Sequence, residues 1–196
     1  MTLRLLLAVV VLVFAPGCGL EVTPGASQED DRKVTVTRVV DGDTVEVSPA
    51  IGGEEDVRLI GIDAPETAGS PRGPQPYGED ASRFAEQGLQ GESVTLRFDE
   101  EKKDDYGRVL AYLYSTDGTM FNQALLERGY AQVATFPPNV KHVERFEKAQ
   151  RKARRAERGI WGLPEDQLCR LTDRSNGVGG GCRDGIGVVV MQERRS

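Results

Sequence analysis

The chain has 196 residues, with 25 basic and 31 acidic side chains, a net charge of −6, one histidine and three cysteines. That acidic balance excludes a protein coated with the basic footprint of a general polyanion binder. A single histidine, His142, and cysteines far from the other polar motifs exclude a metal centre of imidazole and thiolate ligands.

Residues 1–17 carry one charge, Arg4, an apolar run from Leu5 to Phe14 and small residues ahead of Cys18. This is the pattern of a secretory leader, too short to span a bilayer stably. Ala15-Pro16-Gly17-Cys18 resembles a bacterial lipobox, although leucine is usual where Ala15 stands and proline is unusual at Pro16. Cys18 is therefore the expected lipidation site, with plain export and nearby cleavage as the alternative. The expected location is the outward face of the cell membrane, as a lipoprotein, or the medium. Residues 18–32 are small, polar and acidic, and read as a flexible linker.

A domain is expected over 33–161, long enough to bury a core of its own. Val34–Val40 and Thr44–Val47 are β-branched and largely alternating, and Asp41-Gly42 between them signals a hairpin. A second hairpin, pairing Thr44–Ser48 with Asp56–Ile62 across Pro49–Gly53, predicts Asp43 opposite Ile62 and Asp63, so that the two carboxylates share one ion. Ala64-Pro65 ends the strand, because proline fixes its own φ and restricts the residue before it, which frees the Ala64 carbonyl. Carboxylates, a carbonyl and water are the ligands that Ca²⁺ accepts.

Glu66, three residues past Asp63, is placed to hold a water against that cation as a general base. Arg58 and Arg108 carry planar guanidiniums suited to negative charge building on phosphoryl oxygens. Arg58 lies five residues from Asp63, about 16 Å along an extended strand, so either the strand curves or the side chain reaches back. Taken singly, Asp-Gly-Asp-Thr is usually a turn, Asp-Ala-Pro-Glu a strand exit, and Tyr-Gly-Arg carries no signal. Their joint occurrence in this order points to phosphodiester chemistry.

Further along, Ala81, Phe84, Ala85 and Leu89 recur at helical spacing. Ser93–Phe98 and Val109–Tyr114 read as two more strands, joined by the acidic loop Asp99–Asp105 that delivers Arg108. Met120–Arg128, stopped by Gly129, and the stripe Val143, Phe146, Ala149, Ala153 give two more helices. Such apolar stripes are core faces rather than stacking surfaces. Basic charge concentrates late: Lys33–Val140 holds 10 basic and 19 acidic residues, Lys141–Arg158 holds 8 and 3. The run Lys148, Arg151, Lys152, Arg154, Arg155 and Arg158 reads as a solvated helix face with cations near its C-terminal end, steering of nucleic acid being the alternative.

Val40-Asp41-Gly42-Asp43-Thr44, Arg58 through Glu66, Tyr77-Gly78 opening a helix, Asp104-Asp105-Tyr106-Gly107-Arg108 and Gly159-Ile160-Trp161 together resemble the staphylococcal nuclease (thermonuclease) family, over roughly Lys33 to Trp161. The resemblance implies an α+β fold, a five-stranded Greek-key OB-fold β-barrel with three α-helices. It implies a Ca²⁺-dependent endonuclease acting on DNA and RNA and leaving 3′-phosphate ends; separately, nothing in the sequence implies a protein partner, and a monomer is the expectation. By position, Asp43, Asp63 and the Ala64 carbonyl match the calcium ligands, Glu66 reaching the ion through water. Arg58, Glu66 and Arg108 match the catalytic trio, and Tyr106 a tyrosine beside the bound phosphates. Two departures imply weaker substrate binding. Ala134-Thr135-Phe136-Pro137 stands where the family carries two tyrosines, leaving Phe136 to stack, and the usually lysine-rich loop is Thr67–Pro76, with Arg72 its one basic residue.

Residues 162–196 read as a Gly-rich tail, with six glycines between Gly177 and Gly187. Export permits a disulfide between Cys169 and Cys182. Asp173–Gly177 lacks the alternating ligands of a calcium loop, and Ile186–Met191 is apolar enough for an edge strand. Two other functions stay open: a non-catalytic OB-type nucleic-acid-binding module, which the intact Arg58, Glu66 and Arg108 count against, and a calcium-binding surface lipoprotein, which gives those arginines no role.

Overall fold

A computed structural model of the chain describes residues 31–172. The leader, most of the linker, Cys18, Asp173–Gly177, Cys182 and Ile186–Met191 lie outside the described residues. In chain order the elements are β1 (Arg32–Val39), β2 (Thr44–Ile51), β3 (Glu54–Leu59), β4 (Gly61–Asp63), α1 (Gly78–Leu89), β5 (Ser93–Arg97), β6 (Val109–Ser115), α2 (Phe121–Arg128), β7 (Gln132–Ala134), α3 (Val143–Arg155) and α4 (Glu165–Thr172).

Five strands close a barrel in the order β1-β2-β3-β6-β5, with β5 returning to pair with β1. Alternation in the sequence fills it: Val34 and Val36, Val45 and Val47, Val57 and Leu59, Val94 and Leu96, and Ala111 and Leu113 are all buried. Every barrel pairing is antiparallel except β3 with β6, which run parallel with Val57 opposite Val109. The expected barrel is thus present, and β1 begins at Arg32, the last residue of the expected linker.

The helical stripes go inward as expected. Ala81, Ala85 and Leu89 of α1 are buried, Phe84 stacks on Phe121 of α2 at 5.2 Å, and Phe146, Ala149 and Ala153 of α3 are buried. A fourth helix, α4, occupies the start of the expected tail. Pro164 precedes it and Glu165 and Asp166 sit in its first turn, which is the composition of a helix start. Its Cys169 is disulfide-bonded.

The register of the second hairpin differs from the expectation. Thr44 pairs with Arg58 and Glu46 with Asp56, and the chain reverses at Gly52-Gly53, so Asp43 lies beside Leu59, whose N–H donates to its carbonyl at 2.8 Å, and not opposite Ile62 and Asp63. The sequence pattern treats Asp56–Ile62 as one strand, but the chain breaks at Gly61. Gly61 has φ +78°, and a Cβ there would lie 2.5 Å from the Phe146 ring, so only glycine fits. Beyond this kink β4 leaves the barrel and pairs with β7, Ile62 opposite Val133.

Candidate active site

The kink, not the register, brings the distant carboxylates together. Asp43 and Asp63 are both buried, and Asp43 Oδ2 accepts the Ala64 N–H at 2.6 Å. Asp43 Oδ1 also accepts from the Thr44 hydroxyl at 3.2 Å, and Asp63 Oδ2 from Gln132 Nε2 of β7 at 3.1 Å. The Asp41-Gly42 turn is pinned by the Asp41 carboxylate, which accepts the Asp43 N–H at 3.0 Å.

Arg58 reaches back across the kink, which removes the 16 Å difficulty of an extended strand. Its Nη1 donates to the Leu59 carbonyl at 2.5 Å and its Nη2 to the Ile62 carbonyl at 2.9 Å. The same Nη2 stands 3.1 Å from Asp43 Oδ2 and 3.7 Å from Asp63 Oδ1. Even so, burial pushes the Asp43 carboxyl up to about 7, against the pull of Arg58 and the Ala64 N–H. Two carboxylates gathered on one guanidinium in a buried site concentrate negative charge there. This is the environment that a hard divalent cation with oxygen ligands relieves. Among the described residues no group of three acidic, histidine or cysteine side chains gathers as a metal cage. The donors that fit are therefore the Asp43 and Asp63 carboxylates with a backbone carbonyl such as Ala64's, and water to complete the shell.

Glu66 follows Pro65 and is clamped through its main chain. Its N–H donates to Gln75 Oε1 and its carbonyl accepts the Gln75 N–H, both at 2.9 Å. Its carboxylate pairs with Arg72 at 3.3 Å. Arg108 hangs from the turn Asp104–Arg108, where Asp104 does most of the holding. Asp104 Oδ1 accepts the Tyr106 and Arg108 N–H groups at 3.0 and 2.9 Å, while Oδ2 accepts Arg108 Nη2 and Nε at 2.7 and 2.8 Å. Tyr106 is 86% exposed, its ring centroid 5.6 Å from the Arg108 guanidinium carbon.

All nine residues read from the sequence, Asp43, Arg58, Asp63, Ala64, Glu66, Arg72, Tyr106, Arg108 and Phe136, line one open cavity of about 1000 Å³. Cys169 lies elsewhere, on α4, and no residue of the basic run on α3 lines the cavity. Asp41, Asp56, Glu101, Asp104 and Asp105 line it too, so carboxylates outnumber arginines around it. Sequence reasoning assigned no role to Asp104, Gln75 or Gln132. Asp104 was legible in principle as the first residue of an Asx-type turn. The two glutamines act from 9 and 69 residues away and leave no local signal.

A family model described as staphylococcal nuclease homologue matches residues 56–162. The thermonuclease of Staphylococcus hyicus is 39% identical over 137 residues, covering 70% of this chain and 80% of that protein. The thermonuclease of Staphylococcus intermedius is 44% identical over 126 residues, 64% of this chain and 74% of that protein. Endonuclease YncB of Bacillus subtilis (strain 168) is 38% identical over 131 residues, 65% and 61% of the two chains.

Proposed function

The chain belongs to the staphylococcal nuclease family and is a nucleic-acid hydrolase, and we propose that it is an endonuclease that cuts DNA and RNA with the help of Ca²⁺ and leaves 3′-phosphate ends. The observation that carries this reading is the convergence of Arg58, Glu66 and Arg108 on one cavity whose buried carboxylates, Asp43 and Asp63, share a single guanidinium.

Asp43, Asp63 and the Ala64 carbonyl would hold the cation, which when bound supplies Lewis-acid polarisation of a phosphoryl oxygen and offsets the acidic lining. Glu66 takes the proton of the attacking water at a carboxylate oxygen. Its clamped main chain fixes where that oxygen sits, and Arg72 gives way as the water enters. Arg108 is anchored by Nε and Nη2 on Asp104, which leaves Nη1 to donate to the phosphate. Arg58, held beside the carboxylate pair at the cavity wall, donates to the same phosphate as negative charge grows there. The water oxygen bonds to phosphorus as the P–O5′ bond breaks, the departing O5′ takes up a proton from solvent water, and the phosphate is left on the 3′ side. Tyr106 and the half-exposed Phe136 offer rings to the flanking nucleotides. The apolar leader and the lipobox-like Ala15–Cys18 support an exported, membrane-tethered protein, which would meet Ca²⁺ outside the cytoplasm.

The test is incubation of the full chain with single-stranded DNA and RNA in Ca²⁺ or in EGTA, followed by tailing of the products with terminal transferase before and after phosphatase. Calcium-dependent cutting into ends that tail only after phosphatase is expected. Cutting in EGTA, or ends that tail directly, would overturn the cation or the product assignment.

A further inference from the structure

A second groove, of 590 Å³, shares no residue with the first and is lined by Tyr77, Arg128, Tyr130, Arg158 and Gly159. Its construction begins with two glycines. A Cβ on Gly129 would lie 2.0 Å from the Arg158 carbonyl and one on Gly159 2.2 Å from the Gly129 carbonyl, while Ile160 N–H donates to Gly129 O at 2.9 Å. This backbone-to-backbone approach brings Arg128, the last residue of α2, beside Arg158, just past α3. Both arginines are exposed, and neither has an acidic partner among the described residues. The Arg128 guanidinium lies 5.4 Å over the Phe84 ring, and Arg158 Nη1 donates to the Glu127 carbonyl at 3.1 Å, so both are positioned.

Two tyrosines complete the groove. Tyr77 and Tyr130 rings stand 6.3 Å apart at 34°. Tyr77 holds φ +66°, a left-handed conformation costly for so bulky a residue. It is also the far end of the loop that begins at Glu66: Arg72 in that loop lines the cavity and Tyr77 lines the groove. A strand leaving the cavity along this loop would meet two guanidiniums without carboxylate partners and two rings. Capping of α2 explains the Arg158 bond to Glu127 and dipole compensation suits both arginines, but neither requires the two cations to converge on a pair of tyrosines.

We propose that this groove binds a single-stranded segment of the substrate beyond the scissile bond, Arg128 and Arg158 taking phosphates and Tyr77 and Tyr130 facing bases. The proposal rests on the reading of the chain as a nuclease, but its test needs no cleavage. In EGTA, affinity of the full chain for fluorescein-labelled (dT)20 is measured by anisotropy against salt. Arg128→Ala and Arg158→Ala are each expected to weaken binding several-fold and to flatten the slope of log K against log salt by about 0.7 for each phosphate no longer neutralised. Arg83→Ala, which removes a like charge from the exposed face of α1, is expected to leave the slope unchanged. Should Arg158→Ala unfold, Arg128→Ala and photocrosslinking of the wild type with 5-iodouracil strands still decide. Crosslinks to Tyr77 or Tyr130 support the groove, and crosslinks confined to Tyr106 and Phe136 overturn it. Equal affinity of Arg128→Ala and wild type, or no binding by wild type, also overturns it. A chain that shows the groove signature yet cuts nothing in Ca²⁺ keeps the groove and sinks the nuclease reading instead.

Discussion

Asp104 accepts four hydrogen bonds from its own turn, two of them from the Arg108 guanidinium, so the direction in which Arg108 points is decided by a neighbouring carboxylate and not by its own rotamer preference. Asp104→Asn keeps the turn acceptor but trades a charged partner for a neutral amide. We expect kcat to fall roughly tenfold with little change in unfolding midpoint, measured by single-turnover cleavage and urea titration. A kcat within twofold of wild type would mean that Arg108 finds its place unaided. Arg108→Lys should lose more, about 10²-fold in kcat, because an ammonium cannot bond Asp104 and a phosphate in the geometry of a planar fork. At Glu66 the expectation divides two roles. Glu66→Gln should lower turnover by about 10²-fold or more, within the typical range for removing a general base, while Ca²⁺ affinity from calorimetry stays nearly constant. A Ca²⁺ affinity that collapses with the substitution would make Glu66 a direct ligand.

The element that carries most of the site is the short β4, and its position depends on one glycine. Gly61→Ala must find room for a methyl group 2.5 Å from the Phe146 ring at a φ that L-residues rarely adopt. A loss of more than about 1 kcal/mol in urea unfolding is expected. Activity should fall further than stability explains, since Asp63 and Ala64 move with the strand; a stable, fully active variant would show that the kink does not place them. Much at this scale was legible beforehand. The alternating valines gave the barrel strands, and the Phe146, Ala149, Ala153 stripe gave the buried face of α3. That the nine named residues gather on one cavity was legible because their motifs are local. What escaped was non-local. Nothing within Asp56–Ile62 shows that the aromatic ring limiting Gly61 arrives from Phe146, or that β4 prefers β7 as a partner. Hence the hairpin pattern places Asp43 opposite Ile62 and Asp63 where the structure has Leu59, although the same pattern groups Asp43 with Ala64, whose N–H it accepts. Helix α4 escaped because eight residues beside a glycine-rich stretch give too little periodicity.

For the whole molecule, charge is unevenly shared: carboxylates crowd the cavity while cations gather from Lys141 to Arg158. Substrate should therefore be held through few phosphates, and kcat/KM should decline only shallowly with salt at saturating Ca²⁺. A slope as steep as that of a protein neutralising about six or more phosphates would show that the basic face of α3 takes part throughout. The topology has a different consequence, one of time. β3 and β6 lie side by side with Val57 facing Val109, yet β4, α1 and β5 are all made between them. Until the ribosome has released residues up to Ala111, the barrel has an open seam, the cavity wall that carries Arg108 is not in place, and closing the seam must wait on a long loop. Truncated or nascent chains ending before β6 should thus be unable to cleave nucleic acid, so that folding to completion itself serves as the switch that turns the enzyme on.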